Sequence, residues 1–143
     1  TGATVGKLCG MERASKTGIG CYAMALGELQ VAAVVVVNAL GDIFDPANGT
    51  KIAGLMNKDR TAFGDSCEEL WKLGCPQNLF TGNTTIGAVI TNGQFNKAQM
   101  NKIASMTRNA YARCINPVGT MADGDSIYAA SIGDVKADIN VPL

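Results

Sequence analysis

The chain has 143 residues, 47% of them hydrophobic and 17% charged, and its 12 basic and 12 acidic residues cancel. This composition predicts one globular domain with a core, and a formal net charge of zero gives no reason to expect nucleic acid or an acidic membrane surface as a partner. The longest apolar run, Val31–Val37, is too short to span a bilayer, so no membrane contact is expected.

The chain contains no histidine. Ser-His-Asp and Cys-His catalysis therefore cannot operate within it. A hydrolase built from these residues would need an amine, a carboxylate or a metal-bound water as its base. No clustered acidic motif suits a magnesium ion, and we expect neither a metal nor a cofactor.

The five cysteines are odd in number and form no Cys-x-x-Cys pair, which predicts buried, reduced thiols in a cytoplasmic protein. They are Cys9, Cys21, Cys67, Cys75 and Cys114. No signal peptide is recognisable and the chain starts at Thr1, so we expect an excised piece of a larger protein.

The N-terminal segment Thr1–Lys7 is glycine-rich, but Leu8 stands where a phosphate loop requires Ser or Thr, so we expect no nucleotide site there. The following apolar segments predict a hairpin whose strands are Cys21–Leu26 and Leu29–Asn38. Its run Val34–Val37 is apolar on both faces and predicts a strand that is covered on both sides.

Asn38 ends this apolar strand, and two interpretations stay open for it: a turn cap, or a fixed N–H donor that faces a cleft. Asp45–Gly49 is predicted to be a turn cluster, and the region from there to Gly64 an irregular surface loop. Ser66–Leu73 is predicted to be a short helix with Ser66 as N-cap and Glu69 at the capping-box position, stopped by Gly74 and Pro76.

The stretch Phe80–Ile90 is the centre of the chain. Gly82 and Asn83 favour a turn or strained backbone, and the apolar residues that follow favour a buried strand. A threonine at that junction can attack the carbonyl group before it, and cleavage would leave Thr84 with a hydroxyl and its own α-amine as base. The alternative interpretation is a loop followed by an ordinary strand.

The C-terminal part alternates helix, turn and strand. One apolar face predicts a core helix over Asn96–Cys114, ended by Asn116-Pro117. Asp123 and Asp125 form an acidic turn around a glycine, either solvated or facing a site, before a strand that starts at Ser126 and runs to Ile132.

Four segments in order carry a resemblance to a known family: Thr1–Lys7, Val36–Asp42, Asn83–Gly87 and Thr120–Asp125. Together they resemble the self-cleaving N-terminal-nucleophile hydrolases typified by L-aminopeptidase D-Ala-esterase/amidase (DmpA). That family includes β-peptidyl aminopeptidases and the endo-type 6-aminohexanoate-oligomer (nylon oligomer) hydrolase. The match runs over nearly the whole chain but covers only the middle and later part of the family's domain.

The resemblance implies an α/β (α+β) fold, a four-layer αββα sandwich of the kind also found in ornithine acetyltransferase, here as a partial domain. It implies a single domain over residues 1–143 and cleavage between Asn83 and Thr84, so that 1–83 ends an α piece and 84–143 starts a β piece. It also implies a homo-oligomer of αβ units.

The same resemblance implies roles for individual residues. Thr84 matches the nucleophile, Asn38 the amide that polarises the carbonyl group, and Lys7 a lysine near the nucleophile in the nylon-oligomer branch. Asp123 and Asp125 match an Asp-x-Asp pair of that branch, where the aminopeptidase branch has serine and glutamate. The implied substrate is a small peptide or an ω-amino-acid amide.

Two alternatives remain open from the sequence. An acyltransferase of the ornithine acetyltransferase type also cleaves itself before a threonine but passes the acyl group to an amine. An inactive relative would keep the fold as a structural module.

Overall fold

The structure, a computed structural model, describes residues 2–74 and 82–140. The sequence predictions for Thr1, Cys75, Pro76, Phe80–Thr81 and the last three residues, 141–143, lie outside the described residues. The strands are β1 Thr4–Val5, β2 Ser15–Lys16, β3 Ile19–Leu26, β4 Leu29–Val36, β5 Asp42–Phe44, β6 Lys51–Ala53, β7 Ile86–Gly93, β8 Ile115–Asn116 and β9 Ser126–Val135. The helices are α1 Ser66–Leu73, α2 Lys97–Thr107 and α3 Asn109–Cys114, with a 3₁₀ turn at Met11–Arg13.

The main sheet has the strand order β3-β4-β7-β9. Its first two strands form the predicted hairpin, with Leu26 opposite Leu29 and Gly27 in the left-handed region at φ 58°, which glycine adopts without strain. Strand β7 runs antiparallel to β4 and parallel to β9. The parallel pair requires a crossover connection, and α2 and α3 supply it.

The two crossover helices cover one face of the main sheet except at the edge strand β3, where Tyr22 on the same face is 76% exposed. Met100 and Ile103 of α2 pack with Val89 in a buried cluster. The predicted apolar face is therefore confirmed, but the single predicted helix is divided at Arg108, which both ends α2 and caps α3. Helix α2 starts with a capping box between Asn96 and the residue at its N3 position.

The opposite face of the main sheet stays open in the part of the chain that the structure describes. Side chains alternate between faces along a strand, so this face carries the apolar residues that lie between those under the helices. Ile86 is 49% exposed, Tyr128 67% and Ile132 74%. The prediction that Val34–Val37 is covered on both sides is wrong within the described residues, because the helices pack on one face only.

A second sheet has the order β6-β5-β8, and its strand β6 lies in the region predicted to be irregular surface loop. The buried carboxylate of Asp42 organises this region, because it accepts from the Lys51 amine at 2.7 Å and from the Leu55 N–H at 2.7 Å. It also accepts from the Ser66 hydroxyl at 2.7 Å, so Ser66 is not the N-cap of α1. Asp65 is the N-cap, although the predicted bounds of the helix are confirmed.

Four thiols lie in the described ranges, and all are free. Cys9, Cys67 and Cys114 are half-buried, whereas Cys21 is exposed because it lies on an edge strand and on the uncovered face of the sheet. The expectation that the cysteines are buried is therefore wrong for Cys21. Burial raises the pKa of Cys9 and of Cys67, which keeps these two thiols protonated near neutral pH.

The α/β class predicted from the resemblance is confirmed. The fold combines sheets with a few helices, as expected for a partial domain of the sandwich type. In the ranges 2–74 and 82–140, none of the helices has the length and apolar character needed to cross a membrane.

Candidate active site

The sheet topology brings the four motif segments to one end of the main sheet. Because β4 and β7 are antiparallel, the residues after β4 meet those before β7. Because β7 and β9 are parallel, the turn before β9 reaches the same end, where Asn83 forms a bridge with Asp123. Lys7 lies in the loop after β1, and its N–H group donates to the Leu40 carbonyl oxygen, which holds this loop at the same end of the sheet.

The peptide bond between Asn83 and Thr84 lies at the centre of this cluster. The Thr84 hydroxyl donates to the Asn83 carbonyl oxygen, with 2.6 Å between the two oxygens. The Gly124 N–H donates to the same carbonyl oxygen at 2.8 Å. The Thr84 N–H donates to the carbonyl oxygen of Asn38 at 2.8 Å, so hydrogen bonds hold both sides of this peptide bond.

Asn38 uses both ends of its side-chain amide. Its Nδ2 donates to the carbonyl oxygen of Gly82 at 2.8 Å, one residue before the carbonyl group of Asn83. Its Oδ1 accepts from the Lys7 amine at 2.9 Å and from the Thr4 N–H at 3.2 Å. Every one of these partners is distant in the chain, and the role of Asn38 as a donor that faces a cleft stays a prediction.

Lys7 is only 2% exposed, and its amine lies among backbone and side-chain oxygens. Its Nζ is 3.2 Å from the Asn38 carbonyl oxygen and 3.3 Å from that of Gly82. Burial lowers the pKa of Lys7, and the negative charge of Asp123 partly counteracts this shift. Through its hydrogen bonds Lys7 joins Asn38 to the segment just before the Asn83–Thr84 bond.

Gly6 explains why the Lys7 backbone can reach the site. It adopts φ 67°, and an added Cβ would lie 2.0 Å from the Leu55 backbone nitrogen. Its N–H also bonds the Gly41 carbonyl oxygen at 3.0 Å. The segment is thus clamped between two loops, and a side chain at this position would push Lys7 out of place.

The two aspartates bind backbone of the other motif segments. Asp125 Oδ1 accepts from the Thr85 N–H at 2.8 Å, directly after Thr84. Asp123 Oδ1 accepts from the Leu40 N–H at 3.3 Å, and its Oδ2 accepts from the Thr120 hydroxyl at 2.7 Å. Both are half-buried, so the turn is more than a solvated connection.

Gly124 and Tyr111 are the two neighbours of the site to which sequence reasoning gave no role in it. A glycine between two aspartates is an ordinary turn residue, so no sequence pattern indicates its contact with the Asn83 carbonyl group. The Tyr111 hydroxyl donates to the Ser126 carbonyl oxygen at 3.4 Å, and burial, followed by the charge of Asp125, raises the pKa of Tyr111 to about 12. Its position on a helix face indicated only core packing.

Within the described ranges, no group of three or more His, Cys, Asp or Glu side chains could hold a metal ion. The site combines a hydroxyl, an amine, an amide and two carboxylates on an α/β scaffold. These are the groups that amide-bond chemistry needs in a protein that does not use histidine. A comparison with known families agrees with this class. The sequence model of peptidase family S58 matches residues 1–140, so the chain belongs to that family.

Curated relatives include the 6-aminohexanoate-oligomer endohydrolase of Agromyces sp. (strain KY5R), 31% identical over 127 residues, which cover 87% of this chain and 36% of the relative. The enzyme of the same name from Paenarthrobacter ureafaciens is also 31% identical, with the same coverage of both chains. An uncharacterized aminopeptidase of Mycobacterium leprae is 33% identical over 140 residues, 95% of this chain and 37% of the relative. The chain thus spans little more than a third of the length of these relatives.

Proposed function

We propose that the chain is part of a self-processing amide hydrolase that cleaves its own Asn83–Thr84 bond and then uses Thr84 as an N-terminal nucleophile. One observation carries the proposal: the Thr84 hydroxyl lies against the carbonyl group of the peptide bond before it, 2.6 Å from the carbonyl oxygen. Family membership supports it, because relatives are named as an endohydrolase of 6-aminohexanoate oligomers and as an aminopeptidase. The proposed substrates are small peptides or ω-amino-acid amides.

Self-cleavage in this proposal has two steps. Thr84 Oγ1 forms a bond to the Asn83 carbonyl carbon, the C–N bond breaks, and the hydroxyl proton ends on the Thr84 nitrogen. This rearrangement produces an ester between Asn83 and the Thr84 side chain. Water then hydrolyses the ester and leaves a carboxylate on Asn83 and a free amine and hydroxyl on Thr84.

Substrate hydrolysis then uses the groups that cleavage releases. A free α-amine has an ordinary pKa of about 7.7–8.0, so a useful fraction is neutral and can accept the Thr84 hydroxyl proton. The Asn38 carbonyl oxygen already binds the Thr84 nitrogen and would hold this amine in place. Once the Gly82 carbonyl group leaves, Asn38 Nδ2 becomes a donor for the substrate's carbonyl oxygen, and the charge of Lys7 favours the neutral amine.

The first prediction concerns the nucleophile and is tested by intact mass of the full-length protein. Thr84→Ala should remain one chain because alanine has no hydroxyl, whereas Thr84→Ser should give two fragments that meet at Asn83 and residue 84. Thr85→Val is the matched control: the Thr85 hydroxyl is buried and makes no hydrogen bond among the described residues, so its loss should leave cleavage intact. Normal processing of Thr84→Ala, or a block in Thr85→Val, would assign the nucleophile elsewhere.

Activity assays separate hydrolysis from acyl transfer. The cleaved protein is given a 6-aminohexanoate amide or a short peptide, with and without an added amine such as ornithine. Release of free acid as the main product is expected. Preferential acylation of the added amine would instead make the protein an acyltransferase.

The proposal for the whole protein is a cytoplasmic homo-oligomer of αβ units that needs no metal or cofactor. The oligomer rests on the family resemblance, the cytoplasmic location on the cysteine pattern, and metal independence on the lack of a clustered acidic motif in the sequence. Sedimentation of the cleaved protein tests it: full activity in a species of one α and one β piece would contradict the oligomer, and loss of activity on treatment with a chelator would contradict metal independence.

A further inference from the structure

The turn before β9 passes over the Asn83–Thr84 peptide bond at close range. The Gly124 N–H is 2.8 Å from the Asn83 carbonyl oxygen. A Cβ added to Gly124 would lie 2.8 Å from Thr84 Oγ1 and 3.7 Å from that carbonyl oxygen. Only a residue without a side chain lets the backbone approach both reacting groups without displacing the hydroxyl.

Hydrogen bonds on both sides of Gly124 fix the direction of its N–H group. On one side, the Asp123 N–H bonds the Thr120 carbonyl oxygen at 3.0 Å. On the other, the Ser126 N–H bonds the Thr85 carbonyl oxygen at 2.9 Å, and Asp125 accepts from the Thr85 N–H. A donor held in this way needs no reorganisation when negative charge develops on its acceptor.

We propose that the Gly124 N–H is the oxyanion donor for self-cleavage. This proposal rests on the proposed function, because it concerns the same step. When Thr84 Oγ1 bonds to the carbonyl carbon, the electron pair of the C=O double bond moves to the Asn83 oxygen, where the Gly124 hydrogen bond stabilises it. The pair returns as the C–N bond breaks and the Thr84 nitrogen takes up the proton.

Neither the Thr84 hydroxyl nor Asn38 is placed to do the same. The Thr84 hydroxyl also donates to the Asn83 oxygen, but it loses its proton in the attack. Asn38 Nδ2 donates to the Gly82 carbonyl oxygen instead, one residue away. Self-cleavage and substrate hydrolysis would therefore use different donors, Gly124 for the first and Asn38 for the second.

The test removes the N–H group and leaves every side chain in place. Cell-free translation with a suppressor tRNA puts glycolic acid at position 124 of the full-length protein, so that an ester oxygen replaces the Gly124 N–H. Self-cleavage should slow by about 10²–10³-fold, the usual effect of losing one oxyanion donor. Intact mass at neutral pH follows the reaction and distinguishes it from breakage of the ester itself.

The matched control puts the hydroxy-acid analogue of serine at position 126. This change removes the bond from the Ser126 N–H to Thr85 in the same segment, but it keeps the Gly124 N–H. The control should slow cleavage far less than the Gly124 ester does, because the bonds of the Asp123 N–H and of the Asp125 carboxylate still hold the turn. Equal slowing of both esters would overturn the proposal, because it would mean that cleavage depends on the hydrogen bonds that hold the turn and not on the Gly124 N–H in particular. Normal cleavage of the Gly124 ester would also overturn it.

Two further measurements keep the outcomes distinct. If the all-amide protein itself stays uncleaved, the proposed function fails and not only the role of Gly124. If the ester at position 124 does not fold, hydrogen exchange in the uncleaved Thr84→Ala protein decides instead: the Gly124 amide should exchange slowly there and quickly after wild-type cleavage. Rapid exchange in both proteins would show that the bond to Asn83 is absent.

Discussion

At the scale of single residues, Asn38 combines two functions that a substitution can separate. Its Nδ2 is the donor to Gly82, whereas its Oδ1 accepts from Lys7 and from the Thr4 N–H. Replacement by aspartate keeps an acceptor oxygen for Lys7 and removes the donor. Replacement by alanine removes both.

We predict that Asn38→Ala lowers kcat by about 10²–10³-fold, as expected for loss of one oxyanion donor. Asn38→Asp should lose a comparable amount of kcat yet keep more of the free energy of unfolding, because Lys7 retains its partner. Each variant is checked for cleavage by mass before steady-state assays and urea unfolding. If Asn38→Ala only unfolds and keeps full activity per folded molecule, Asn38 has a structural role alone.

The aspartates give a prediction about pH. Removing a negative charge near the Thr84 amine destabilises its ammonium form, so the amine pKa falls and the rise of activity with pH moves to lower pH. Asp123→Asn should shift more than Asp125→Asn, because the charge of Asp123 is the one that reaches the neighbouring Lys7 amine; the accompanying fall in the Lys7 pKa would offset part of the shift. Profiles of kcat that run parallel to wild type across neutral pH in both variants would remove the pair from the electrostatics of the site.

The sequence could predict which residues gather at the site but not where each side chain points. The resemblance carried by four ordered motifs implied that Lys7, Asn38, Thr84, Asp123 and Asp125 share a site, and the structure brings these residues to one end of the sheet. The contact of Asn38 with Gly82 depends on how β4 and β7 are registered, which no local pattern encodes.

At the scale of elements, the prediction was correct for long segments with a regular pattern of apolar residues. It was wrong for short strands that are stabilised by a side chain distant in the sequence. The β3–β4 hairpin and the apolar face of α2 follow from local pattern. Strands β5 and β6 have three residues each, and a single carboxylate, that of Asp42, stabilises the loops around them through partners as far as Ser66. Such a network connects residues that are far apart in the sequence, so it produces no periodic pattern of apolar residues.

Tyr111 on α3 gives a prediction for the packing of helix against sheet. Its pKa is about 12 in the folded protein, whereas an unfolded tyrosine titrates near about 10. Between these values the unfolded chain loses the proton first, so the free energy of unfolding falls as pH rises. Tyr111→Phe lacks this group, so its stability relative to wild type should improve through that window.

The measurement is urea unfolding at about pH 8 and about pH 11, on either side of the ordinary tyrosine pKa. At the lower pH the variant loses only one long hydrogen bond, and a cost of about 1 kcal/mol or less is expected. Tyr128→Phe is the control, because Tyr128 is 67% exposed. Equal pH dependence of Tyr111→Phe and wild type would mean that the Tyr111 hydroxyl is not protected by the fold.

At the scale of the whole molecule, the main sheet has one covered and one open apolar face within residues 2–74 and 82–140. The sequence indicated strands that are apolar on both faces, which is correct as a pattern. It could not indicate which face the helices of this segment cover, because that depends on the crossover between β7 and β9. The site lies at the end of the main sheet and not on one of its faces. Its groups therefore come together although only one face is covered.

The open face predicts how the 143-residue chain behaves in solution. Contiguous exposed apolar surface binds hydrophobic dyes such as anilinonaphthalene sulfonate, so the chain should enhance dye fluorescence in its folded state. Ile132 and Tyr128 are 74% and 67% exposed on this face, and replacing both by serine should reduce the fluorescence. Trp71 is 79% exposed but belongs to α1 and not to the main sheet, so Trp71→Ser is the matched control. Circular dichroism confirms that each variant is folded before dye is added. A signal that falls equally in the control and the double variant would place the dye elsewhere, and no enhancement in the wild-type chain would mean that the face is covered.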